Sequence, residues 1–145
     1  MKDVTLYEKA TFVALIAAAA AHLFWIIKRR PGWKNDRFLT SLVFVTALLV
    51  ASVILKDNTL GNITHTLYGA LILMAFVDSR DKDVLLFAIT MGVMTILINA
   101  LFKRCSWAAI FEYSTDYKDR STLVMRDMSV LITALAAKYF YVARN

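Results

Sequence analysis

The 145-residue sequence predicts an all-α fold: a polytopic transmembrane bundle of five helices, or of four plus one interfacial helix. Three observations carry that expectation. The first is residues 10–27, a run of about 18 residues without a charge, long enough at ~1.5 Å per residue to cross most of a ~30 Å hydrocarbon layer. The second is what stops it, Lys28-Arg29-Arg30-Pro31-Gly32-Trp33-Lys34, where cations resist entering lipid, Pro and Gly break the helix, and Trp suits a headgroup boundary. The third is composition. The chain is 59% apolar with a mean hydropathy of +0.58, above the roughly 45–50% of soluble domains. Its apolar residues lie in blocks bounded by charge, which describes a single integral membrane domain over residues 1–145.

The first span, about 10–27, carries Ala10, Ala14, Ala18 and His22 at four-residue spacing, with Ala17, Ala21 and Trp25 on a second ridge. Small residues at that spacing admit a neighbouring backbone, so this helix is expected at the centre of the bundle, with Phe12, Leu15, Leu23 and Ile26 facing lipid or filling grooves. It is longer than a signal-peptide apolar core and is read as uncleaved. The loop that follows holds Lys28, Arg29, Arg30, Lys34 and Arg37 against Asp36. The positive-inside rule places that loop on the cytoplasmic side, against anionic headgroups.

The second span, about 38–55, has Thr40, Ser41, Thr46 and Ser52 as its polar groups, hydroxyls that can bond back to their own helix. A third, about 60–77, carries His65, Tyr68 and Gly69 in its first half and ends in the mixed-charge turn 78–83. The fourth, about 84–102, includes Asn99 and is closed by Lys103 and Arg104, again suited to headgroups. Residues 103–122 read as an interfacial or exposed loop, in which Trp107, Phe111, Tyr113, Asp116 and Arg120 are candidates for docking a partner. A fifth span, about 123–142, has Arg126 and Asp127 near one end and Lys138 near the other, where the lysine can snorkel into an aromatic belt of Tyr139, Phe140 and Tyr141. Cations are nearly balanced between the two faces, so orientation rests on the first loop.

Few groups suggest chemistry. His22 beside Trp25 admits a proton-relay reading, but a histidine near a helix end is more economically an interfacial hydrogen-bonding group. His65 and His22 lack the Glu or Asp at helical spacing that a shared metal would need, so no metal or other cofactor is expected. Asn99, Arg126 and Asp127 are the costliest groups at membrane depth; Arg126 and Asp127 point about 100° apart on a helix and are not expected to pair with each other. The lone Cys105 excludes an internal disulfide. Glycine-rich phosphate loops, nucleophile elbows and His-Glu-x-x-His motifs do not occur. The net charge of +6 sits at span ends and forms no basic stripe for nucleic acid.

The expectation is therefore a non-catalytic membrane subunit that anchors or helps assemble a larger complex. A virion's internal-membrane, capsid-associated protein and an accessory subunit of an energy-transducing complex both fit. The polar intramembrane candidates are His22, His65, Asn99, Arg126 and Asp127. The alternative is a small ion or proton channel or transporter using His22, His65, Asn99 or Asp127, which would bring several of these onto one water-filled cavity.

Overall fold

Four helix starts are set by side-chain oxygens that accept from the first unpaired backbone N–H groups. Thr5 accepts from Glu8 N, Asp36 from Phe38 N and Leu39 N, Asp57 from Leu60 N, and Asp81 from Asp83 N and Val84 N. In the computed structural model, which describes residues 4–103, 105–111 and 117–144 and, among these, side chains outside 108–109 and 117–124, they open α1 (Leu6–Lys28), α2 (Arg37–Leu55), α3 (Asn58–Asp78) and α4 (Lys82–Phe102). A short α5 (Ser106–Ile110) and a long α6 (Tyr117–Arg144) complete the chain, and no strand occurs among the described residues. Two helix ends need a left-handed residue without being glycine: Lys56 closes α2 at φ 54° and Lys103 closes α4 at φ 53°.

α1 to α4 run up and down in a square. α2 packs most extensively on α3, α1 lies beside α4 and α2, and α4 carries α6 on its outer side, where α6 also touches α3. The basic loop between α1 and α2 and the α3–α4 turn share one end, tied by Arg30, which pairs with Asp81 and reaches Asp83 at 3.4 Å. The other end holds the start of α1, α5 and the end of α4, where the Tyr7 and Phe102 rings are 5.8 Å apart. α6 runs antiparallel to α4. Ile132 lies 2.6 Å from where a Cβ on Gly92 would stand, Lys138 donates to the carbonyls of Phe76 and Val77, and Lys82 donates to Ala143 O.

Five long helices thus stand side by side, and four of them, α1 to α4, are long and apolar enough to cross a membrane. At 28 residues α6 is longer still, about 42 Å at the usual rise, but its uncharged stretch is limited to residues 128–137. Its helix begins at Tyr117, so residues 117–122, expected in an interfacial or exposed loop, are helical.

The alanine-rich first helix is not the centre of the bundle. Ala10, Ala14, Ala17, Ala18 and Ala21 are exposed, whereas Phe12, Leu23 and Ile26 are buried with Ala19. α1 is the least enclosed of the four apolar helices and α4 the most. The reason is geometric: bulky side chains on α1 fill interhelical space that alanines cannot reach across, so the bulky face turns inward.

The core on the basic-loop side is closely filled. Ile26, Leu39, Ala75 and Leu85 are fully buried there, with Leu23, Leu42 and Val84 around them. Midway along the bundle, the Thr46 hydroxyl lies 2.6 Å from the Tyr68 hydroxyl and 2.8 Å from Leu42 O, and Ser52 donates to Leu49 O. Thr46 and Ser52 thus return their bonds to their own helix as expected, whereas Thr40 donates to Lys34 O in the preceding turn.

Candidate functional site

Toward the opposite end, the square of helices is left partly open and α5 folds beneath it as a cap. Its seat is Gly61. The Phe111 ring lies where a side chain on Gly61 would stand, the Trp107 indole donates to Gly61 O at 3.0 Å, and Asn62 Nδ2 donates to Phe111 O at 3.4 Å. Glycine is needed because any Cβ would collide with that ring. Phe12 adds edge-on contacts to both aromatics, at ring separations of 5.6 Å to Trp107 and 6.0 Å to Phe111.

Above this cap lies a cavity of about 100 Å³. Every long helix contributes to it: Phe12 and Ile16 from α1, Leu49 from α2, His65 and Tyr68 from α3, Met94 and Asn99 from α4, and Met128 from α6. Cys105, Ser106 and Trp107 form its floor. His65 stacks on Trp107 with ring centroids 5.0 Å apart and planes 27° from parallel. Asn99 is 1% exposed and Ser106 fully buried. Neither the Asn99 amide atoms nor Ser106 Oγ has a hydrogen-bond partner among the described residues, nor has Asn62 Oδ1 beside the cap.

Of the polar intramembrane candidates, His65 and Asn99 therefore share one cavity. His22 does not join them: it is half-buried in the other half of the bundle, between Trp25 and the Phe87 ring at 5.4 Å. Arg126 and Asp127 also stand apart, exposed on α6. Contrary to the expectation from their angular separation, they pair with each other, Arg126 Nε donating to Asp127 Oδ1 at 3.1 Å. The long arginine side chain bends back across the 100°, which at an exposed site costs little and is worth little, about 0–1 kcal/mol.

Trp107 and Phe111, expected on a docking surface, are turned inward instead; Phe111 is 2% exposed. α5 is too short to bury two large rings by any route except against the open end of the bundle. Tyr113, Asp116 and Arg104 lie outside the described residues, as does the side chain of Arg120. The basic residues of the first loop split in role. Arg30 is pinned by Asp81 and Asp83, and these carboxylates raise its pKa above the ordinary arginine value; Arg29 lies 3.8 Å over the Trp25 ring; Lys28, Lys34 and Arg37 are exposed, as is Lys103 at the other end.

Ser106 and Met94 were not identifiable as site residues from their neighbours in sequence. Ser106 follows the basic stop of α4 and reads as a boundary hydroxyl, and Met94 as one apolar residue among many. What marks them is the convergence of all six helices on one cavity. Chemically, the cavity offers the unpaired carboxamide of Asn99 and hydroxyl of Ser106, beside the His65 imidazole and the already bonded hydroxyls of Tyr68 and Thr95, with no Asp, Glu, Lys or Arg among its described lining residues. Among the described residues no three His, Cys, Asp or Glu side chains gather to hold a metal. Compared with protein-family models, with curated proteins and with solved structures, the chain matches none.

Proposed function

We propose that this chain is a non-catalytic, multi-pass membrane subunit that docks within a larger assembly and helps to hold it on a bilayer. The observation that carries this reading is the outer face of α1. Ala10, Ala14, Ala17, Ala18 and Ala21 fall within an arc of about 100° and are all exposed, between exposed Tyr7 at one end and Phe24 and Trp25 at the other. In lipid, helices associate through close packing, and a ridge of small residues is the surface that lets a second backbone approach. The partner is another subunit's apolar helix. A shell beneath which an internal virion membrane is anchored and an energy-transducing complex with accessory subunits are the two settings that suit such a protein. The basic loop, residues 28–37, faces the cytoplasmic side and anionic headgroups.

A channel or transporter reading draws support from His65 and Asn99 lining one cavity. Against it weighs the fully buried apolar cluster of Ile26, Leu39, Ala75 and Leu85 between that cavity and the other face; half-buried His22 lies in the same half but does not join His65 and Asn99.

The test is native mass measurement after extraction with surrounding lipid, on the natural chain and on an Ala14→Leu, Ala18→Leu variant. The natural chain should emerge in fixed stoichiometry with other subunits and the variant alone. Recovery of the natural chain alone, or of the variant in the same company, would sink the reading. Proton or ion flux into reconstituted vesicles above the protein-free rate would replace it with the channel.

A further inference from the structure

We propose that the cavity above α5 is a binding site for a small neutral amphiphile dissolved in the membrane, one with an apolar body and a single hydroxyl head group. Its size suits this: about 100 Å³, against about 150 Å³ for an engineered apolar cavity that takes benzene. Its walls suit it too. Ile16, Ile72 and Ile98 give a hydrocarbon lining, and Met91, Met94 and Met128 are unbranched side chains that adjust to a guest's shape.

The head group is specified by the unpaired atoms. Asn99 presents a donor and an acceptor, Ser106 a hydroxyl, and all three atoms are buried and unpartnered among the described residues. A buried polar group without a partner is costly, so a ligand that supplies one removes a penalty already present in the protein. A hydroxyl both donates and accepts, so it matches the carboxamide and the Ser106 hydroxyl alike. A charged head group is disfavoured, because no Asp, Glu, Lys or Arg side chain among the described lining residues would balance it. Ordered water is the competing occupant. Asn99 and Ser106 supply the two to four polar partners it needs, but it leaves walls that are mostly hydrocarbon uncovered, which an apolar body covers.

The chain's single cysteine, Cys105, lines the same cavity, so its reactivity reports occupancy. The experiment uses the full-length protein in phosphatidylcholine nanodiscs, reacted with methyl methanethiosulfonate while butanol, pentane or butyrate is titrated, with concentrations corrected for partition into the bilayer. Butanol and pentane should each slow Cys105 modification saturably, butanol at about tenfold lower concentration, and butyrate should not slow it. Asn99→Leu should abolish the preference for butanol while pentane still protects. Ser106→Ala, which removes one oxygen, should narrow the preference and serves as the deciding variant if Asn99→Leu fails to fold by circular dichroism. Absence of saturable protection by either probe, as expected if water alone satisfies Asn99 and Ser106, would overturn the site. Equal protection by butanol and pentane, or a preference that survives the variants, would overturn the assigned head-group role.

Discussion

In the half of the bundle that holds the basic loop, polar groups are matched to one another. Arg30 meets Asp81 and Asp83, Lys138 meets the last carbonyls of α3, Arg29 covers Trp25, and between them Ile26, Leu39, Ala75 and Leu85 are sealed from solvent. In the half capped by α5, aromatic rings carry the packing, a cavity remains, and Asn99 and Ser106 are buried without partners among the described residues. Both halves are built from the same apolar residue types. The difference teaches that one end is arranged for holding the helices together, while the other tolerates an energetic cost, which is where binding has something to gain.

The comparison is broken most directly in the cores. Leu85→Ala, in the sealed half, should destabilise by about 2–4 kcal/mol, because its neighbours close only partly over the lost volume. Ile98→Ala, at the cavity wall, should cost clearly less, since that side chain already has open space on one side. Reversible unfolding in mixed micelles checks both, and equal losses would erase the distinction between the halves.

Gly61→Ala sharpens the other side of the comparison. The added methyl must displace the Phe111 ring, an overpacking cost of about 1–3 kcal/mol. It should also loosen the cap, so Cys105 alkylation should rise several-fold, whereas Leu85→Ala should leave the alkylation rate nearly unchanged.

Arg30→Gln removes a pair whose members are part-exposed, and after allowance for solvent screening it should cost about 1 kcal/mol or less, diminishing in high salt. The folded-state pKa of Arg30 is raised, so its contribution is complete below the unfolded value and is lost only as pH rises through strongly alkaline values. On the arginine side, stability should therefore be flat through the neutral range, a result that thermal melts at successive pH values can read. The smallest effect expected is a gain. Gly69 lies in the middle of α3 with open space where a Cβ would stand, so Gly69→Ala should stabilise by about 0.5–1 kcal/mol.

The run of uncharged residues 10–27 and the charge clusters after it determined by themselves that the chain is helical, in long apolar segments, with breaks close to where the structure has them. Length, hydropathy and capping residues act locally, so they can be read without knowing any neighbour. Asp36, Asp57 and Asp81 each stand one residue before the helix they cap.

Which side of α1 faces inward was decided only by tertiary structure. The alanine ridge and the Phe12, Leu23, Ile26 face are both apolar, and in a bilayer hydrophobicity does not distinguish a lipid contact from a helix contact; shape decides. The inward turn of Trp107 and Phe111 has the same origin. A short aromatic segment suits a headgroup plane or an open bundle end equally well, until Gly61 supplies a seat that only one of them offers. The cavity itself is a relation between residues as far apart in sequence as Phe12, His65, Asn99 and Met128. Local pattern can mark Asn99 as costly. Only the packing of six helices decides that it is buried in the lining of the same cavity as Ser106.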